Sequence, residues 1–359
     1  SASSDELRFE ISSSDELSIA GIVLGKQQCF AVVGGACSAI RIASKVRGLF
    51  IRQLVSFWGR GDVVEARGAI VQAALLLARE KRTGRFPAVQ RLPIETGFKS
   101  YDEDVILGQD GFFFLFGGSN VVNELYSRRV DDGFLSQWVK LIEQREKLAE
   151  DQGVGFLQMI VPEKQSVLSD LYPIDQSGCT PLLASISKAM ASRSCYLDAF
   201  EVLKDIYVKS GAVPYRRVDS HLSLHGAMGL ALAMAHKIDS GMSSLTKPVL
   251  VSRTIGGDLG SKFGYGQFVE DALYPDIDCW QFAKEKPRLV RSETPQSGFT
   301  GTLREWASET FLSEKTVLVF GNSIFERGDD PFGLSWWLAR IFRRVRFVWS
   351  AKVDWAQLR

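Results

Sequence analysis

The sequence predicts an α/β fold, a layered sandwich around a mostly parallel sheet, and three observations carry that prediction. Short apolar runs alternate with longer stretches whose apolar residues recur at helical spacing, which is the strand–helix–strand grammar of a parallel sheet. The run Val317-Leu-Val-Phe320 breaks abruptly at Gly321-Asn-Ser323, as a buried parallel strand does where it ends in a turn. With 359 residues, 45% of them hydrophobic and 24% charged, the chain can bury one large α/β core and add a smaller region.

Taken in order, Leu7–Ile11, Leu17–Leu24 and Cys29–Val33 are β-branched or aromatic runs separated by Ser, Gly and Gln clusters, and they read as strands of a small β layer. Gly34-Gly35 lacks both G-x-G-x-x-G and G-K-[ST] context, so a plain turn is expected rather than a phosphate loop. Val64–Lys81 reads as a helix with a basic exit. Residues 82–104, with Gly84, Pro87, Pro93 and Gly97, read as a linker. The domain division is therefore a β-rich and helical region over 1–95 and a larger domain over 100–359.

The second region opens with a turn at Gly108-Gln-Asp-Gly111 running into a buried strand, Phe112–Phe116. Asp131 and Asp132 suit a helix start, and Phe134, Trp138, Leu141, Ile142 and Leu148 continue at helical spacing through Glu150. A strand is expected over Val154–Val161, then helices over Pro181–Arg193, Leu197–Ser210 and Gly226–Lys237. Residues 240–265 are Gly- and Ser-rich, and Gly256–Gly266 reads as a connector in preference to a mobile loop. Residues 266–312 read as an irregular excursion. Leu334–Arg343 is expected as a helix and Val345–Trp349 as a strand.

Composition excludes several function classes. Net charge is +1, and the run Arg340-Ile-Phe-Arg-Arg-Val-Arg346 reads as a helix exit, so no nucleic-acid partner is expected. No stretch reaches the roughly 18 apolar residues that a membrane span needs, and the first thirty residues carry no signal peptide. Cys29, Cys37, Cys179, Cys195 and Cys279 lack metal-ligand spacing and read mostly as reduced core thiols.

The chemistry concentrates on a hydroxyl at a strand end. In α/β sheets reacting groups are displayed at the carboxyl edge, and a serine there needs an imidazole to take its proton and a carboxylate to orient the ring. Of the three histidines, only His221 has a carboxylate two residues earlier, in Val218-Asp-Ser-His221. Ser323, His221 and Asp219 are therefore expected to meet, with backbone amides near Asn322 and Ser323 as an oxyanion hole. Each piece has a bland alternative, because D-x-H arises by chance and a Gly-x-Ser after a strand is often only a turn. His236 fits a helix-end partner better than a catalytic role. His225 lies four residues from His221, but no third ligand is evident, so no metal is expected. Lys164, after Val-Pro-Glu, is either a surface charge or a contact to an anionic substrate.

Five motifs in order, Gly108-Gln-Asp-Gly-Phe-Phe-Phe-Leu115, Ile160-Val-Pro-Glu-Lys164, Tyr215-Arg-Arg-Val-Asp-Ser-His221 with Gly226-Ala227, Gly257-Asp-Leu259 and Phe320-Gly-Asn-Ser323, resemble the alginate O-acetyltransferase family of SGNH hydrolase-like domains. The resemblance covers roughly residues 100–355. It implies an SGNH-type three-layer α/β/α sandwich and transfer of acetyl groups to sugar hydroxyls through an acyl-serine. It makes Ser323 the nucleophile, His221 the base and Asp219 its partner. Tyr215, Arg217, Lys164 and Asn322 become the substrate-binding or oxyanion candidates.

Three departures stand out. Leu222 replaces the usual tryptophan, which is expected to alter the wall of an acceptor cleft, and Asn322 replaces the usual Asp or Thr. The family also typically continues beyond the equivalent of Val353-Asp-Trp355, so either a C-terminal truncation at Arg359 or a sheet that ends differently is expected. The implied partners are a carbohydrate acceptor and an acyl donor, with no cofactor and with a larger multidomain context or partner protein left open. The expected compartment is cytoplasmic as the chain is given, or periplasmic for a processed piece. The competing expectation is an inactive glycan-binding or scaffold module of the same fold.

Overall fold

A computed structural model describes residues 96–358 apart from 101, 119, 120, 177, 263–267 and 297, and adds the backbone of four strands nearer the N-terminus. Those strands are β1 (Arg8–Ser12), β2 (Ser18–Leu24), β3 (Gln27–Val33) and β4 (Ala39–Ala43). β1 pairs with β4 and β2 with β3, both antiparallel, so three of these strands fall where the β-branched runs predict them. The turn expected at Gly34-Gly35 and the helix over 64–81 lie outside the described residues, as do most of the linker and Cys37.

The larger region begins with a hairpin of β5 (Val105–Leu107) and β6 (Phe113–Leu115), which pair antiparallel. A single turn, α1 (Val122–Leu125), precedes the long helix α2 (Asp132–Asp151). The Asp131 carboxylate caps α2 by accepting from the Phe134 amide at 3.0 Å, satisfying one of the donors that a helix start leaves unpaired. The expected strand over 154–161 shrinks to β7 (Gln158–Met159), whose one partner among the described residues is β8 (Tyr196–Leu197), parallel to it. Between them come the short helix α3 (Lys164–Val167) and α4 (Pro181–Met190), the latter capped by Thr180 with proline in its first turn. Proline fits there because its missing N–H would have been unpaired anyway.

Helix α5 (Ala199–Ser210) starts on Asp198 and stops on Gly211 at φ 70°, the left-handed conformation that glycine adopts without cost. Helix α6 (Leu224–Ile238) is the spine of the main core, and Leu224, Ala227, Leu230, Ala231 and Ala235 on it are buried. Its small residues permit close approach: a Cβ on Gly226 would lie 2.1 Å from the Pro214 carbonyl oxygen.

The Gly- and Ser-rich stretch 240–265 and the expected irregular excursion 266–312 both contain strands. β9 (Leu250–Gly256) and β10 (Val269–Pro275) pair antiparallel, flanking α7 (Asp258–Ser261). After α8 (Gln281–Lys284) come β11 (Arg288–Glu293) and β12 (Leu303–Ala307). β11 is exposed along its whole length and β12 turns Glu305 inward beside Leu303, so neither shows the apolar alternation that marks a half-buried strand.

β13 (Ser313–Gly321), α9 (Leu334–Ile341) and β14 (Phe342–Trp349) complete the fold. The largest sheet has the order β11-β12-β14-β13, in which only β13 and β14 run parallel. The chain is thus a mixed α/β protein with small sheets, and a mostly parallel sandwich sheet is not what the strands form. The core lies between α6, α9 and the inner face of β14, where Trp337, Phe342, Val345 and Phe347 are fully buried. A second cluster of Ile142, Ile186, Met190, Cys195 and Tyr196 joins α2 to α4. Of the described cysteines, Cys195 is buried and Cys179 half-buried, whereas Cys279 is exposed and so is not a core thiol. Among the described residues no helix is long and apolar enough to cross a membrane.

Candidate active site

β13 ends at Gly321, and the chain then turns sharply: the Asn322 carbonyl accepts from the amides of Phe325 and Glu326, at 3.0 and 3.2 Å. The turn is anchored because Phe325 stacks on Phe347 of β14, with ring centroids 4.9 Å apart. Ser323 therefore sits just past the carboxyl end of a parallel strand pair. The strand itself is half-buried rather than fully buried, since it forms an edge of its sheet.

The opposing residues come from the loop between α5 and α6. Tyr215 and Leu222 bridge as an antiparallel pair, and the Arg216 amide donates to the His221 carbonyl at 3.1 Å. This pinches residues 216–221 into a tight loop. Inside it, Asp219 Oδ1 accepts from both the His221 amide at 2.9 Å and His221 Nδ1 at 2.8 Å. The two-residue spacing of Asp and His has a local explanation: a short acidic side chain folds back on backbone two residues ahead, and the ring follows. On its other edge, His221 Nε2 lies 2.9 Å from Ser323 Oγ. The three side chains thus meet in one hydrogen-bonded series, with Nδ1 donating to Asp219 and Nε2 free to accept from the hydroxyl.

Electrostatics keep this series charged at one end. Burial works against the Asp219 carboxylate, but the hydrogen bond from His221 and the Arg216 guanidinium hold its pKa well below the ordinary carboxylate value. Burial likewise lowers the affinity of His221 for a proton, yet its bonds to Asp219 and Asp258 leave its pKa above the ordinary 6.5. Arg216 is buried and bridges Asp219 Oδ2 at 3.0 Å, Glu270 Oε1 at 2.9 Å and the Gly256 carbonyl at 2.6 Å. It therefore ties the loop to both strands of the β9–β10 pair.

The remaining sequence candidates fall elsewhere. Lys164 is fully buried, and its ammonium donates to the backbone carbonyls of Phe113, Arg216, Arg217 and Asp219. Burial pushes its pKa down to about 7. It is neither a surface charge nor a substrate contact but the pin that holds the Asp219 loop from below. Tyr215 is also buried, donating to the Pro162 carbonyl at 2.5 Å, so it faces no substrate. Arg217 lies over the Phe112 ring, 5.2 Å from its centroid. Leu222 is fully buried in the main core, so it forms no cleft wall.

Asn322 is exposed, and its Oδ1 accepts from the Ile324 amide at 3.0 Å. Its side-chain nitrogen and the Ser323 amide have no acceptor among the described residues, which leaves both available as donors beside the hydroxyl. His236 is exposed in the last turn of α6.

Sequence reasoning missed Arg216, Glu270, Asp258 and Arg327. Only Asp258, inside the Gly257-Asp-Leu259 motif, carried a signal. Among the described residues, Asp219, His221 and Asp258 form the one group with metal-ligand atoms in mutual reach, within 4.8 Å. Beside them opens a cleft of about 450 Å³, lined by Arg216, Asp219, Asp258, Tyr274, Arg327 and Asp330 among others.

No family model matches the sequence, and no curated protein is significantly similar to it. Several solved structures share a partial likeness. The O-acetyltransferase domain of Pseudomonas putida AlgJ aligns at 14% identity over 66% of this chain and 77% of its own, with a TM-score of 0.37. Bacillus cereus PatB1 with a sulfonyl adduct aligns at 10% identity over 71% and 90%, with a TM-score of 0.46. A DHHW family protein from Eubacterium siraeum aligns at 14% identity over 68% and 81%, with a TM-score of 0.39. With TM-scores this low, none of these likenesses carries weight for the fold or activity of this chain.

Proposed function

We propose that the chain is a serine-dependent O-acyltransferase or esterase that acts on a carbohydrate through an acyl-serine intermediate, with Ser323, His221 and Asp219 as its catalytic triad. The observation that supports this reading is the continuous hydrogen-bonded series from Asp219 through His221 to Ser323 at a strand end. A carbohydrate acceptor and an acyl donor as partners rest on the resemblance of the five sequence motifs.

The steps follow from the geometry. His221 Nε2 takes the Ser323 proton as Oγ attacks the acyl carbonyl, and the imidazolium is held by Asp219. In this reading the Ser323 amide and the Asn322 side-chain nitrogen donate to the oxyanion. As the tetrahedral intermediate collapses, the leaving oxygen takes the proton from Nε2. A sugar hydroxyl or water then gives its proton to Nε2 and attacks the acyl-serine, and as that intermediate collapses Nε2 returns the proton to the departing Ser323 Oγ. Transfer and hydrolysis differ only in which hydroxyl reaches the acyl group. Lys164, Tyr215 and Arg216 act in this scheme by holding the loop, not by touching substrate.

The test is intact-mass spectrometry after incubation with p-nitrophenyl acetate, for the parent protein and for Ser323→Ala, His221→Ala and Asp219→Asn. The parent should gain one acetyl mass that maps to Ser323, the serine and histidine variants none, and the aspartate variant a much slower gain. Folded protein that acquires no adduct and turns over no ester would sink the proposal.

A further inference from the structure

The charges around His221 are matched without Asp258. Asp219 turns Oδ2 toward Arg216 at 3.0 Å and Arg327 at 3.7 Å, and Arg216 is matched again by Glu270 at 2.9 Å. Two guanidiniums thus face two carboxylates. Beyond them, Asp330 lines the same cleft, and burial holds its carboxyl toward the neutral form. Lys164 lies beneath the loop, its ammonium spent on backbone carbonyls. A proton moved from Ser323 to His221 would place a new positive charge among groups already balanced, with Arg327 close by.

Asp258 supplies the missing charge. Its Oδ2 lies 3.4 Å from His221 Nδ1, and no Lys or Arg among the described residues pairs with it. The carboxylate is aimed by three contacts: it accepts from the Ser220 amide at 2.7 Å and the Ser220 hydroxyl at 2.5 Å, while its own amide donates to Asp219 Oδ2 at 3.2 Å. The fold makes room for this placement. A Cβ on the preceding Gly257 would lie 2.1 Å from the Val218 carbonyl oxygen, so only glycine lets α7 dock on the loop. The Gly260 amide then donates to that same oxygen at 2.9 Å.

We propose that Asp258 is a second carboxylate partner of His221, a positioning residue that holds the Nδ1 edge jointly with Asp219 and balances the charge the ring acquires from Ser323. This rests on the reading of Ser323 and His221 as nucleophile and base. Its test does not need turnover, because His221 is one of three histidines and its ring can be titrated directly by NMR in Ser323→Ala protein. Asp258→Asn keeps an oxygen for the Ser220 amide and removes the charge. For a partly exposed charge at this separation, the His221 midpoint should fall by about one pH unit, roughly tenfold in proton affinity. His225, whose pKa burial holds below the ordinary imidazole value, should titrate as before, which also shows that the variant folds.

Two further variants separate charge from scaffolding. Asp258→Glu should restore at least half of the shift. Ser220→Ala, which removes a hydroxyl that bonds Asp258 and lies 3.2 Å from His221 Nδ1 but removes no charge, should move the midpoint by less than half as much as Asp258→Asn does. In protein with Ser323 intact, the acid limb of ester turnover should move down with the midpoint. A midpoint unmoved by Asp258→Asn overturns the proposal, even where turnover falls, since the residue would then only hold the loop. Ester turnover absent from every protein would instead count against the nucleophile-and-base reading and leave the midpoint result standing.

Discussion

Replacing Lys164 with methionine keeps the length and apolar stem of the side chain and deletes only the ammonium that four backbone carbonyls surround. Burial brings the lysine from its ordinary 10.5 down to about 7 in the folded chain. Between those values the unfolded chain binds a proton that the folded chain does not, so stability must rise with pH, by up to about 1.4 kcal/mol per unit. Below pH 7 both states are charged and the slope vanishes. From pH 6.5 to 9 the parent should gain about 2.5 kcal/mol relative to Lys164→Met, which lacks the titrating group.

The orphaned carbonyls add a pH-independent loss of about 1–3 kcal/mol each where no other donor reaches them. The variant should therefore be less stable than the parent by about 3–5 kcal/mol at pH 9, and by less near neutrality. Urea unfolding followed by tryptophan fluorescence at several pH values measures both quantities. A difference between the two proteins that stays flat across this range would refute the buried, carbonyl-caged ammonium. Because the same carbonyls belong to residues 216–219, turnover should also fall, by about 100-fold for a displacement near 1 Å.

Arg216→Gln strands Asp219 and Glu270 without their shared cation, and calorimetry should show a loss of about 3–5 kcal/mol. Tyr215→Phe removes one buried hydrogen bond to Pro162, so it should cost about 1–2 kcal/mol while leaving kcat/KM within about twofold. The pH–rate profile of ester turnover should rise through a midpoint above 6.5, because a base must be neutral to accept a proton and His221 holds its proton more tightly than a free imidazole. An acid limb below pH 6 would contradict that sign.

How much of this was legible depended on whether the cause was local. Ser323 could be found because a strand end is written in consecutive residues, four apolar ones and a glycine. Asp219 and His221 could be paired because their contact is an i, i+2 turn. The helices α2, α5 and α6 were legible for the same reason, each with its own cap and apolar face. Lys164 and Tyr215 stand where the motifs place them, yet their roles were misjudged, since no property of a lone lysine announces that carbonyls from two other segments will enclose it. Arg216 sits beside the predicted Arg217, and only packing decides which of the two turns inward. Glu270 was hardest, because β9 is largely exposed and β10 sets that charged residue between the buried Val269 and Ala272, so neither strand shows a clean apolar alternation.

The bond between His221 and Ser323 joins residues 102 positions apart, and the lysine that steadies the loop reaches back more than 50 residues to Phe113. Contacts this distant along the chain pay loop-closure entropy before they return any stability, and topologies rich in them fold slowly. No contiguous fragment ending before β13 can assemble the reacting pair. Recovered ester turnover after refolding would therefore report the last tertiary events rather than the first, and it should lag behind the far-ultraviolet signal of helices such as α2 and α5. In that sense the site is a clock for the completion of folding.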